Sequence, residues 1–189
     1  MTTFEFVLLL FGAVPGHCVE GRTKLQKVAY FLGLQTGVAK SLGYRPYFYG
    51  PYSAEVAEAT STLIALDFIK ETQQPGPLDD KGFERKKYRY ELTADGIKAV
   101  DFMAKGQAAD LNAKIKQAIK ELNAVIKADY VNLSYAAKVF WLTKGQETDA
   151  QEIGTRAEST GWHLDQPQIV EATGFLKKIK TRGFQPTWE

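Results

Sequence analysis

Apolar residues fill almost every position from Phe4 to Phe11, broken only by Glu5. A helix from about Phe4 to Gly12, capped by Thr2 or Thr3, is apolar on nearly every face and is expected to lie centrally in the core. Ala13–Gly21, with Pro15 and Gly16, reads as a loop. From Arg22–Thr23 the spacing changes to three and four: Leu25, Val28, Ala29 and Leu32 share one face of a second helix, with Lys24 and Lys27 on the other. Gly33 and Gly37 weaken its end. Tyr44–Tyr52 is aromatic and irregular, and its Gly50-Pro51 turn precedes Ser53, a good N-cap. A third helix follows over about Ala54–Leu66, with Val56, Thr60, Leu63 and Ile64 inward. Phe68–Gln73 reads as a short strand and Gln74–Gly82 as a turn. Over Arg85–Leu92 the period drops to two, with Tyr88, Tyr90 and Leu92 alternating against Lys87, Arg89 and Glu91, as in a half-buried strand.

Beyond Thr93, a helix cap, the pattern is helical again. Leu111, Ile115, Ile119, Leu122, Ile126 and Tyr130 recur every three or four residues within a stretch from Asp95 to about Asp129, interrupted at Lys105-Gly106. This stripe suits either the core face of a bundle or the seam of a homodimer through 107–130. A further helix covers about Leu133–Leu142. One more carries Ala150, Ile153 and Ala157, and the last starts after Asp165, with Pro167 at the first helical position and Gln168 completing a capping box. The expected fold is mainly α (α+β): a winged helix-turn-helix domain at 1–104 with a two-stranded β-wing, then a helical C-terminal bundle at 105–189 that packs on it or dimerises.

Composition narrows the function classes. The 189 residues are 44% hydrophobic and 24% charged, ordinary for a globular chain. The formal net charge is only +2, so any cationic surface must come from local clustering. A single cysteine, Cys18, excludes an intrachain disulfide and fits a reducing compartment. The N-terminal apolar run has no basic segment before it and is far shorter than the roughly 20 residues of a membrane span, so a cytoplasmic protein without membrane contact is expected. Two histidines, His17 and His163, and one thiol cannot furnish a four-ligand Cys/His zinc set, so no metal is expected. Gly16–Thr23 approaches G-x-x-x-x-G-K-S/T, yet Arg22 stands where a P-loop needs lysine and no repeated β-α pattern follows. No cofactor and no catalytic residue is expected.

Three blocks stand out: Gly21-Arg-Thr-Lys-Leu-Gln-Lys-Val-Ala-Tyr-Phe-Leu32, Tyr49-Gly-Pro-Tyr-Ser53 and Tyr90-Glu-Leu-Thr-Ala-Asp-Gly96. Together, over about residues 1–100, they resemble the YwgA-type family of prokaryotic proteins. They are more distantly similar to the SocA-like (Panacea) antitoxin domain, which shares a K-L-Q-K-x-x-Y-F helix and a Y-G-P turn. The resemblance implies a winged-helix-like fold and a prokaryotic or phage origin.

Two functions follow from the charged and aromatic residues. Arg22, Lys24 and Lys27 on the second helix, Lys81, Arg85, Lys86, Lys87 and Arg89 on the wing, and Arg45 between them can form one cationic face for double-stranded DNA, as in a transcription regulator. The third helix opposes this: its outer face offers Glu55, Glu58, Ser61 and Thr62, and the carboxylates repel phosphates. The alternative is a protein-interaction module of a toxin–antitoxin, phage or defence system, with Tyr47, Tyr49, Tyr52, Glu55 and Glu58 facing the partner. The aromatic cluster itself reads either as loop packing over the core or as a stacking or anchoring surface.

Overall fold

The computed structural model describes residues 2–78 and 84–186. It is mainly helical, with one small antiparallel sheet. The elements are α1 (Thr3–Ala13), β1 (Cys18–Glu20), α2 (Arg22–Thr36), α3 (Ala54–Ala65), β2 (Ile69–Leu78), β3 (Glu84–Leu92), α4 (Ala94–Lys105), α5 (Ala109–Glu121), α6 (Asn123–Lys127), α7 (Tyr130–Thr143), α8 (Ala150–Ser159) and α9 (Gln166–Lys180).

α1 begins with a reciprocal cap: the Thr2 hydroxyl accepts from the Glu5 N–H at 3.2 Å, and the Glu5 carboxylate accepts from the Thr2 N–H at 2.7 Å. Phe6 through Phe11 are all buried, because α3, α4 and α5 cover the helix on different sides. α2 is the second central helix, and it departs from the amphipathic expectation. Every residue from Leu25 to Leu34 is buried, since α5 and α7 cover the side that the sequence pattern left to solvent.

The expected loop before α2 contains a strand. β1 pairs with β3 (Val19 opposite Tyr90), which makes the sheet three-stranded in the order β1-β3-β2 instead of a two-stranded wing. Three residues are too few for alternation to register. β2 also runs on to Leu78 through Pro75, where a turn was expected, with an irregularity between Pro75 and Leu78. An edge strand tolerates proline because one row of its N–H groups needs no partner.

The helix expected over Asp95–Asp129 is three helices, broken near Gly106 and at Leu122. α7 starts earlier than its apolar run, because the Asp129 carboxylate caps it, accepting from Val131 and Asn132 N–H at 2.8 and 3.0 Å. α9 carries the Asp165/Gln168 capping box with Pro167 in its first turn.

A continuous hydrophobic cluster joins the N-terminal elements to the C-terminal helices. Phe31 of α2, Phe140 of α7 and Phe184 lie with ring centroids 5.5–6.3 Å apart. Ile115, Ile119 and Leu122 are buried in this same cluster, Leu111 and Ile126 are half-buried, and Tyr130 at the end of the 107–130 stripe is exposed. Among the described residues, no helix is long and apolar enough to cross a membrane.

Candidate functional site

The segment 44–53 between α2 and α3 is held by its backbone and displays its rings. Arg45 and Tyr52 exchange two backbone hydrogen bonds of 2.9 Å, closing the loop. Gly50 turns it at φ +97°, a region that L side chains avoid. The Lys27 Nζ donates 2.7 Å to the Pro51 carbonyl. The Gln26 side chain both donates to the Ser53 carbonyl and accepts from the Ser53 N–H, each at 2.9 Å. From the far end of the chain, Trp162 Nε1 donates 2.7 Å to the Tyr47 carbonyl. With the loop fixed, Tyr47 (53% exposed), Phe48 (76%) and Tyr49 (65%) stand in solvent. Tyr47 contacts Phe48 edge-on at 4.8 Å and Tyr52 at 5.1 Å between centroids.

Beside this loop lies a cleft of about 330 Å³. Its walls are α2 (Arg22, Gln26, Lys27), the loop (Tyr47, Tyr49, Tyr52), α3 (Thr60, Ser61) and the sheet (Glu71, Tyr90). Arg22 is held on the sheet side. Its Nε donates 3.1 Å to the Tyr90 hydroxyl, Nη2 lies 3.5 Å from Glu71, and the guanidinium sits 3.7 Å above the Tyr88 ring. Burial pushes the Tyr90 hydroxyl up to about 12, and its hydrogen bond to Glu71 adds to the rise. Burial alone would raise Glu71. Hydrogen bonds from Tyr90 and Gln73, then the charge of Arg22, outweigh it and hold the carboxyl below its usual value.

The three sequence blocks thus meet at one place. The first block reaches the second through Gln26 to Ser53 and Lys27 to Pro51, and the third through Arg22 to Tyr90. Gly16–Thr23, the stretch that approaches a P-loop pattern, is instead divided between a turn at Pro15–His17, strand β1 and the start of α2.

The cationic face is only partly assembled. Lys27 is 2% exposed with its amine turned to the Pro51 carbonyl, so it presents no cation on the outer face to the backbone of a duplex. Arg22 is exposed but engaged with Glu71, and Arg89 is bridged to Glu20 and Glu91 at 3.2 and 3.4 Å. Lys24 is half-buried, whereas Arg45, Lys86 and Lys87 are exposed. Lys81 and the Arg85 side chain lie outside the described residues. Of the partner-facing set, Tyr47, Tyr49, Glu55 and Glu58 are exposed and Tyr52 is half-buried. Gln26, Lys138 and Trp162 escaped the sequence reading, since a polar residue in a helix and a tryptophan between helices carry no local sign of what they touch.

No family model matches the chain, and no curated protein matches it.

Proposed function

We propose that this chain is a protein-interaction module built on a winged-helix frame, docking through its tyrosine loop. The element order α1-β1-α2-α3-β2-β3, with β3 between β1 and β2, supports the winged-helix reading. The observation that carries the docking reading is the pinned backbone of residues 45–53 beneath three consecutive exposed aromatic rings. Exposed aromatics on a pre-ordered loop supply contact area at small entropic cost and are frequent anchors of protein interfaces. Glu55 and Glu58, exposed at the start of α3, add an acidic rim that repels nucleic acid and suits a basic partner. The resemblance to YwgA-type and SocA-like proteins supports placing the module in a toxin–antitoxin, phage or defence system.

A DNA-binding regulator is the second reading. The exposed Lys86 and Lys87 on β3 favour it, with the β2–β3 pair acting as a wing along phosphates.

One comparison separates the two readings. Bait protein is used to capture partners from source-cell lysate, and the same protein is titrated against random duplex DNA by fluorescence anisotropy at low salt. The docking reading expects a defined set of captured proteins that a Tyr47→Ala/Phe48→Ala/Tyr49→Ala variant loses. Capture unchanged in that variant sinks it. Salt-sensitive duplex binding that collapses in Lys86→Glu/Lys87→Glu transfers the function to DNA.

A further inference from the structure

The cleft beside the tyrosine loop holds a charge that the fold does not balance. Lys27 is 2% exposed, and its ammonium has three protons to donate. Its hydrogen bond goes to the Pro51 carbonyl, and no carboxylate among the described residues forms an ion pair with it. A second buried lysine, Lys138 of α7, flanks the same glycine. A Cβ built on Gly50 would lie 3.1 Å from Lys138 Cγ and 3.5 Å from Lys27 Cε. Lys138 also lacks a carboxylate partner among the described residues, and its Nζ stands 5.7 Å from the Trp162 ring. Unpaired buried charge is strongly unfavourable unless the group is neutralised or meets a counter-ion. Burial, and then the charge of Lys138, push the Lys27 amine down to about 7, so near neutral pH it can take up a proton on meeting an anion.

The other groups around Lys27 define what that anion is. On the sheet side, Arg22 and Glu71 cancel one another. From α3, Thr60 and Ser61 spend their hydroxyl protons on the Val56 and Ala57 carbonyls, and Glu55 lies against Gly43. Lys138 lies across Gly50 and does not line the cleft. What remains is one cation, in a cleft that Tyr47, Tyr49 and Tyr52 also line. We propose that this cleft binds a small planar monocarboxylate, its carboxylate paired with Lys27 and its ring against the loop tyrosines. A phosphate monoester brings nearly two charges against the single cation and fits less well. The cleft volume is at the lower end for small-molecule sites and suits a one-ring acid. This binding does not depend on the loop docking to a protein, and its test uses the full chain alone.

The probe is benzoate, with benzamide as its uncharged match and inorganic phosphate as the competing anion. Binding is followed by amide chemical shifts in NMR. Benzoate should shift the Tyr49, Gly50 and Ser61 amides saturably, and benzamide should not. Because the free amine loses its proton near neutral pH, affinity should fall roughly twentyfold between about pH 6.5 and about pH 8.5. Lys27→Met should abolish the response in a protein whose thermal melt remains cooperative. Ser61→Trp, on an exposed turn of α3, should weaken benzoate by narrowing the cleft with the lysine intact; it decides the matter if Lys27→Met does not fold. The proposal is overturned by no saturable benzoate shift at the lower pH, by equal binding of benzamide, by displacement of benzoate by an equal concentration of phosphate, or by affinity unchanged in the folded variants.

Discussion

Lys27 shows how little a residue's type says about its setting. In the sequence it sits on the polar side of α2 with Lys24, and both read as phosphate contacts. In the fold it lies in the buried run of α2 from Leu25 to Leu34, and its amine turns to a loop carbonyl. This has a consequence for stability. The unfolded amine titrates near 10.5 and the buried one near 7. Between those values the unfolded chain holds more protons than the folded one, so stability rises with pH across that window. Burial lowers Lys138 in the same direction. The urea midpoint of the wild type should therefore rise from about pH 7 to about pH 9, and the slope should be smaller in Lys27→Met. Comparing the two proteins cancels the other titrating groups, including Cys18, whose burial-raised thiol acts in the opposite sense. Equal slopes would mean that Lys27 keeps its ordinary proton affinity in the fold.

At the scale of elements, the caps were written locally and the ties between elements were not. Ser53 accepts from the Val56 N–H at 2.9 Å, as its place before α3 predicts. Thr93 accepts from the Gly96 N–H at 3.0 Å and also donates to the Asp67 carbonyl, joining α4 to the end of α3. Gly96 has no freedom to change, since a Cβ there would collide with the Phe68 carbonyl. The Thr-Ala-Asp-Gly pattern thus has a cap and a close approach behind it. Gln26 is the tie that the sequence hid. Its amide matches both backbone groups of buried Ser53, and Ser53 O has a second donor, the Ala57 N–H at 3.2 Å. Gln26→Met should therefore strand one buried donor, the Ser53 N–H, and cost about 1–3 kcal/mol in chemical denaturation. A cost near zero would show that the loop re-pairs that N–H with water.

At the scale of the molecule, helices from the 105–189 part pack on the 1–104 part and share one hydrophobic cluster with it. α5 packs on α1 and α2, and α7 packs on α2, so residues 1–104 alone would expose Tyr30, Phe31 and Leu34. The full chain should unfold in a single transition, and a 1–104 fragment should show no cooperative melt by circular dichroism. A cooperative fragment would restore the two-domain picture. The sequence by itself determined the features that depend on neighbours a few residues away: the all-round apolar α1, the caps at Ser53, Thr93 and Asp165, the alternating β3, and the aromatic segment with its Gly50-Pro51 turn. The tertiary structure alone decided which faces found a covering partner. It gave β1 a strand to pair with, buried the second face of α2, turned Ile115, Ile119 and Leu122 inward, and closed Lys27, Gln26 and Trp162 around one loop. Periodicity records what a segment can bury, whereas burial itself depends on the segments that reach it from far along the chain, and a lysine's charge is tuned by those same distant neighbours.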